Sequence, residues 1–215
     1  LAFNSGLPAP DFYIEGIEDI QSQDFIYAED FDFTIKHLAV AKLSAGGIEL
    51  RSHPVMLNKN SSLAGLKGVR NGIQFDTDLL GAFHVAGSGA GRESTASGLI
   101  SDLHALSKSP EILPMNYPDF SNKPNILNFN DLIFKFYVYL EVKDKAGVLA
   151  LISKIFADHS ISFDKVIQKD QLENGNVPVV IFTDSIIESE MQVALEDLAN
   201  HPEILNSKII RIEDL

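Results

Sequence analysis

A short loop near residue 145 carries residue types that suit a small charged ligand. Asp144 supplies a carboxylate, and Ala146, Gly147 and Val148 stand directly before apolar residues at helical spacing. The first amides of a helix have no partner within it, so these three amides can hold a carboxylate while Asp144 faces an ammonium group. A small amino acid presents both groups. The alternative is a plain helix start capped by Asp144.

A glycine-rich turn is the second candidate for ligand contact. Gly87-Ser-Gly-Ala-Gly91 follows a predicted strand and opens a predicted helix, which allows close backbone approach to a negative group. It is neither the G-x-G-x-x-G dinucleotide fingerprint nor a lysine-containing phosphate loop. Taken alone, the favoured interpretation is a tight structural turn, with Gly89, Ala90 and Gly91 kept as candidates.

Other site chemistries find little support. The chain has no cysteine, which excludes disulfides, thiolate metal sites and thiol nucleophiles. Its six histidines show no metal-ligand spacing, so we expect no metal. His37 is predicted to be a core or interface residue, and His53, before a proline at a strand end, to be structural. The acids of 15–19 indicate a solvated helix start.

Charge and length narrow the class of protein. The 215 residues hold 30 acidic and 17 basic side chains, a net charge of −13, which argues against a nucleic-acid partner. No apolar run approaches the roughly 18 residues of a membrane span, and no signal-peptide pattern opens the chain. We expect a cytoplasmic protein with no membrane partner. Because the first residue is Leu1, we also expect a piece of something longer.

The last part of the chain predicts a ferredoxin-like βαββαβ arrangement. Its strands are predicted at 134–142, 161–169 (with Ile161, Phe163 and Val166 inward), 177–184 and 208–213, and its helices at 148–159 and 185–200. Before it, four prolines within 107–131 indicate an extended linker.

The first part is less regular. Helices are predicted at 24–30, 34–45 (ending at a Gly46-Gly47 C-cap) and 94–107, and strands at 48–54, 73–75 and 83–86. We therefore expect an α+β chain in three pieces: 1–106, a linker at 107–131, and 132–215.

Several motifs resemble homoserine dehydrogenase, in the order of the later part of its catalytic region. They are Tyr13–Ile17, Ile35–Lys42, Arg51–Val55, Leu63–Asn71 and Gly87–Ser97. Asp144–Ala150 and the βαββαβ tail resemble an ACT domain, a regulatory domain that many bacterial members carry at the C-terminus. Ala146 stands where members often have proline, and His37 where they often have an aliphatic residue.

The resemblance implies NAD(P)-dependent interconversion of L-homoserine and L-aspartate 4-semialdehyde, in the pathway to threonine, methionine and isoleucine. It implies that 1–106 belong to the catalytic and dimerisation region, where Gly89, Ala90, Gly91 and Thr95 lie near the cofactor. The family's Rossmann domain, catalytic lysine and substrate-binding acids precede the position of Leu1. We therefore expect no catalytic residue in this chain, no bound cofactor and no activity by itself.

The resemblance also implies an allosteric effector and self-association. We expect a small amino acid, threonine first, at Asp144, Ala146, Gly147 and Val148, with Gln168 of a neighbouring subunit closing the pocket. The free edge of 161–169 invites pairing with another subunit, so we expect at least a dimer. Two alternatives stay open: a non-catalytic amino-acid-binding and dimerisation module, or a structural tail that only dimerises.

Overall fold

The computed structural model describes residues 12–108 and 125–215, which form two compact units. One unit holds residues 58–108, and the other holds 12–57 together with Asn125–Asp214. These units do not follow the predicted boundaries at 106 and 132, because a strand of the first part pairs with the last strand of the chain. Most of the predicted linker, residues 109–124, lies outside the described residues.

The larger unit contains the helices and strands at both ends of the chain. Its elements are β1 (Tyr13–Ile14), α1 (Ser22–Asp30), β2 (Phe33–Ser44), β3 (Gly47–Asn58), a 3-10 helix (Phe129–Asp131), β6 (Ile133–Lys143), α3 (Val148–Asp158), β7 (Phe163–Gln168), β8 (Asn176–Thr183), β9 (Ile186–Ile187), α4 (Glu188–Ala199) and β10 (Ile204–Glu213). The smaller unit contains β4 (Arg70–Thr77), β5 (Gly81–Ser88) and α2 (Arg92–Lys108).

One eight-stranded sheet organises the larger unit. Its order is β1-β3-β10-β6-β8-β7, with β2 paired to β3 and β9 to β6. The predicted βαββαβ order of the last part is confirmed, and its four main strands lie antiparallel in the order β10-β6-β8-β7. β10 also pairs in parallel with β3, at Arg211↔Val55. The first part of the chain therefore extends this sheet.

The sheet carries a separate hydrophobic core on each face. Alternate residues of β8 divide between the two cores, because successive strand side chains point to opposite faces. Val179 and Ile181 pack with residues of α3 and α4, whereas Val180 and Phe182 pack with Tyr27 and Ala28 of α1. Both cores contain fully buried residues. The sheet is therefore covered by α3 and α4 on one face and by α1 on the other.

The smaller unit is a hairpin followed by a long helix. β4 and β5 pair antiparallel from Arg70↔Ser88 to Thr77↔Gly81, and the rings of Phe75 and Phe83 stack across the strands with centroids 5.0 Å apart. The predicted strands at 73–75 and 83–86 and the helix at 94–107 are confirmed, each somewhat longer than predicted. No helix among the described residues is long and apolar enough to cross a membrane.

The predicted helix at 34–45 is wrong, since this segment is strand β2. From Lys36 to Ala41 its residues alternate between half-buried and exposed, the period of a strand, and its apolar content also fits helical spacing. Gly46, with φ +92°, lies in the turn between β2 and β3 instead of capping a helix. His37 is consequently exposed on a strand, not in a core.

Three smaller predictions also need correction. The acids of 15–19 do not start a helix, because α1 begins at Ser22, where Gln21 and Asp24 form a capping box. The last helix begins at Glu188 rather than 185, after the short strand β9. Val166 is 44% exposed rather than buried, since β7 lies at the sheet edge.

Candidate functional site

The loop between β6 and α3 has the backbone shape of an open ligand site. Gly147 is the N-cap of α3, with φ +93° in the left-handed region that favours glycine. A Cβ at this position would meet no atom within 4 Å. The open space beside Gly147 is therefore available to a ligand and not filled by the protein.

A cavity of about 260 Å³ opens beside this loop. All five predicted effector residues line it: Asp144, Ala146, Gly147, Val148 and Gln168. Three valines from neighbouring strands contribute apolar surface: Val142, Val177 and Val179. Pockets for drug-sized ligands begin at about 300 Å³, so this cavity suits a smaller molecule.

Polar groups of the loop provide both signs of charge around the cavity. Among the described residues, the amides of Ala146 and Gly147 have no hydrogen-bond acceptor, and the amide of Val148 makes only a long bond to the carbonyl of Lys145, at 3.4 Å. Lys143 and Asp144 add a cation and an anion to the lining. The N-cap residue of α3 is Gly147, which has no side chain to cap the helix.

Gln168 reaches this cavity from the same chain. It is the last residue of β7, paired with Val179 of β8, and β7 is the outermost strand of the order. The expected residue at the pocket was Gln168 of a neighbouring subunit. The structure places the chain's own Gln168 there, so the five predicted residues come together within one chain.

The second set of predicted residues lies together where β5 leads into α2. Gly89 donates its amide to the carbonyl of Val69, at 2.8 Å, and Gly91 has φ +136°. The amide of Thr95 donates to the carbonyl of Gly91, at 3.0 Å, in the first turn of α2. Gly89, Ala90, Gly91 and Thr95 are all exposed. They form an exposed turn before a helix, as predicted.

A buried ionic cluster was not anticipated. The Arg211 guanidinium lies in the larger unit and donates two bonds to Glu188, at 2.8 and 2.5 Å, one to the Glu15 carboxylate, at 2.7 Å, and one to the Tyr13 hydroxyl, at 3.2 Å. Burial by itself lowers the pKa of Arg211, but the bonds and charge of Glu188 outweigh this and raise it. Burial and the hydrogen bond to Glu15 raise the pKa of Tyr13 to about 12.

His53 lies beside this cluster in the middle of β3, not at a strand end. The Arg51 guanidinium can only donate, so Nε2 of His53 accepts from it, at 3.1 Å. The carbonyl of Pro54 can only accept, so Nδ1 donates to it, at 2.9 Å. Burial lowers the pKa of His53 to about 3, so the ring is neutral. The predicted structural role of His53 is thus supported by its contacts.

One sequence signal could have revealed the ionic cluster. Ile209 packs against a core, and Arg211 lies two residues further along the same predicted strand. Because residues two apart share one face of a strand, Arg211 is a charged residue on the face that points to the core. A buried charge requires a partner. Nothing in the spacing identifies Glu15 as that partner, 196 residues away. Among the described residues, no group of three His, Cys, Asp or Glu side chains could hold a metal ion.

The fold and the two sites define a mixed α/β chain in which a glycine-rich turn before a helix accompanies a βαββαβ sheet with a loop cavity. Comparison with known proteins matches this arrangement to one family. Residues 1–104 match the homoserine dehydrogenase family model, so this segment carries the sequence pattern of that oxidoreductase family.

Similarity extends over the rest of the chain. The homoserine dehydrogenase of Helicobacter pylori is 33% identical over 100% of this chain and 51% of its own length. That of Pseudomonas aeruginosa is 31% identical over 92% of this chain and 48% of its own length. The crystal structure of a homoserine dehydrogenase from Thiobacillus denitrificans aligns with a TM-score of 0.79 and 30% identity, covering 93% of this chain and 47% of that one. The chain thus spans about half the length of these relatives.

Proposed function

We propose that this chain is the C-terminal portion of a homoserine dehydrogenase, which interconverts L-homoserine and L-aspartate 4-semialdehyde with NAD(P). The match of residues 1–104 to the family model supports this, together with relatives that align over 92% and 100% of this chain and about half of their own length. In the whole enzyme the exposed turn at Gly89, Ala90, Gly91 and Thr95 contacts the cofactor. This chain by itself binds none and does not catalyse the reaction.

The βαββαβ part acts, in this proposal, as an ACT-type regulatory domain that binds a small amino acid, threonine first. The observation that carries it is the cavity where Asp144, Ala146, Gly147, Val148 and Gln168 meet. The ligand carboxylate accepts hydrogen bonds from the unpaired loop amides, where the dipole of α3 favours negative charge. Its ammonium group faces the Asp144 carboxylate, and Gln168 closes the cavity from β7.

Calorimetric titration with threonine, isoleucine and methionine tests this regulatory role. Threonine is expected to give the strongest binding to the wild-type chain. Gly147→Val fills the open space beside the loop and is expected to abolish binding.

Gly81→Val is the matched control for backbone strain. Gly81 also has positive φ, +69°, and open space around it, but it lies in the hairpin between β4 and β5. Both variants carry a left-handed residue that costs about 1–2 kcal/mol, so both should lose similar stability while only Gly147→Val loses binding. The regulatory role would be contradicted if Gly147→Val and Gly81→Val bound threonine equally well. It would also be contradicted if calorimetry of the wild-type chain gave no heat with any of the three amino acids.

A second candidate function is a non-catalytic amino-acid-binding and dimerisation module. It is favoured by the position of β7, which among the described strands pairs with β8 alone and so leaves one edge free for a second copy. Catalytic complementation distinguishes the two proposals. If the chain is part of an enzyme, adding the purified N-terminal half of a homologous dehydrogenase should restore homoserine-dependent reduction of NAD(P). If the chain is a non-catalytic module, the mixture should show no turnover.

A further inference from the structure

Lys169 makes an unusual set of contacts directly beside the cavity. It follows Gln168, and its Nζ lies 2.6 Å from Oδ2 of Asp30 at the end of α1. The same ammonium group lies over two aromatic rings of this region, 5.2 Å from the centroid of Tyr27 and 5.0 Å from that of Phe31. Cation–π contacts of this kind add to the ion pair. The end of β7 is therefore attached to the end of α1.

Gln168 and Lys169 serve opposite faces of the sheet. Gln168 lines the cavity beside α3, whereas Lys169 contacts α1, which covers the other face. Because the two residues are adjacent, a displacement of one backbone position carries the other with it. The pair thus connects the cavity to α1 through one peptide bond and the ion pair between Lys169 and Asp30.

β7 lies at one end of the sheet and, among the described strands, pairs with β8 alone. This pairing is interrupted by a register shift between Phe163 and Lys165. Edge elements with few buried contacts open more readily than central ones. A ligand that draws Gln168 toward the loop can therefore shift the end of β7 without disturbing β6 or β8.

The two ends of α1 are held with different firmness. At its start, Asp24 pairs with Lys208 at 2.6 Å, and the two side chains are only 3% and 12% exposed. At its end, Asp30 and Lys169 are 48% and 22% exposed. An exposed ion pair contributes little to the free energy of unfolding, whereas breaking a buried ion pair is strongly destabilising. The Asp30–Lys169 contact is therefore the one that can be made and broken while α1 stays in place.

Of the two residues in this contact, one lies inside the segment that matches the family model and the other lies outside it. Asp30 lies within residues 1–104, which match the homoserine dehydrogenase family model, and Lys169 lies outside them. The contact thus joins the part of the chain that carries the cavity to the part that carries the dehydrogenase pattern.

We propose that Lys169 is a positioning residue that transmits occupancy of the loop cavity to α1 by making or releasing its contact with Asp30. The proposal rests on the proposed function for the identity of the effector. The proposed effector site and the proposed role of Lys169 can fail independently, because binding of the amino acid and the response of α1 are measured in separate experiments.

Hydrogen–deuterium exchange of the full chain, with and without saturating threonine, tests this. In wild type, threonine should change the exchange of the α1 amides, and a coupling of ordinary size corresponds to about fivefold or more. Lys169→Met and Asp30→Asn should each bind threonine in calorimetry within about threefold of wild type yet lose the change at α1. Lys169→Arg, which keeps the charge, should retain it.

Lys165→Met is the matched control, since it makes the same substitution at an exposed position of the same strand. It should behave as wild type. If the change at α1 persists in Lys169→Met and Asp30→Asn, or is absent from wild type that binds threonine, transmission through Lys169 is wrong and the effector proposal stands. If no amino acid binds wild type, the effector proposal fails and Lys169 has no signal to transmit.

Discussion

The burial of His53 predicts a specific loss of stability in mild acid. Its side chain is fully buried, among the rings of Tyr13, Phe129 and Phe134. Protonation would place a charge beside the Arg51 guanidinium, with no acceptor for the new proton at Nε2. Burial accordingly lowers the pKa of His53 to about 3.

The size of the effect follows from linkage between protonation and folding. An unfolded histidine has a pKa of about 6.5, so between about pH 6.5 and 3 the unfolded chain binds a proton that the folded chain does not. The free energy of unfolding is therefore highest above about pH 6.5 and declines as the pH falls through this window. At pH 5 the loss attributable to His53 is about 2 kcal/mol.

Urea unfolding at pH 7.5 and pH 5.0 measures this loss. His53→Gln removes the titrating group and keeps one donor and one acceptor, so its stability should fall about 2 kcal/mol less than that of wild type between the two pH values. His37→Gln, at an exposed position of β2, is the control and should keep the wild-type difference. If His53→Gln loses as much stability in acid as wild type does, the neutral buried histidine is not the cause.

Three further predictions follow from the site and its surroundings. The purified 215-residue chain should show no homoserine-dependent reduction of NAD(P) above a blank, since its sequence has no dinucleotide fingerprint and hydride transfer needs a positioned cofactor; turnover would refute this. Light scattering at tens of micromolar should give at least a dimer, because the β7 edge is free among the described strands; a monomer mass would count against it. Glu188→Gln leaves the Arg211 charge buried without its main partner and should cost about 3–5 kcal/mol in urea unfolding, whereas exposed Glu190→Gln should cost under about 0.5.

Strand and helix periods in the sequence were sufficient to predict most of the βαββαβ part. Its helices are strongly amphipathic, and its strands are rich in β-branched and aromatic residues. The segment 34–45 was mispredicted because its apolar residues satisfy both periods. Pairing with β3 decides between them, and the Gly46-Gly47 dipeptide predicted to be a helix C-cap lies at the turn between these two strands.

The candidate effector site could be predicted because it is local. Of the five predicted residues, four lie in the continuous segment from Asp144 to Val148, and Gln168 comes from β7. The partners of Arg211 could not be predicted, since Glu15 and Glu188 reach the arginine from distant segments. Pairing of β3 with both β1 and β10 brings Glu15 close to Arg211.

NMR titration of the isotope-labelled chain with threonine detects an amino-acid site in the loop between β6 and α3 directly. If the ligand carboxylate binds there as proposed, the amide signals of Ala146, Gly147 and Val148 should shift in a saturable manner. The amide of Gly81, in the hairpin of the other unit, should not move. Saturation that leaves the three loop amides unchanged, or the absence of any shift with threonine, isoleucine or methionine, would contradict an amino-acid site in this loop.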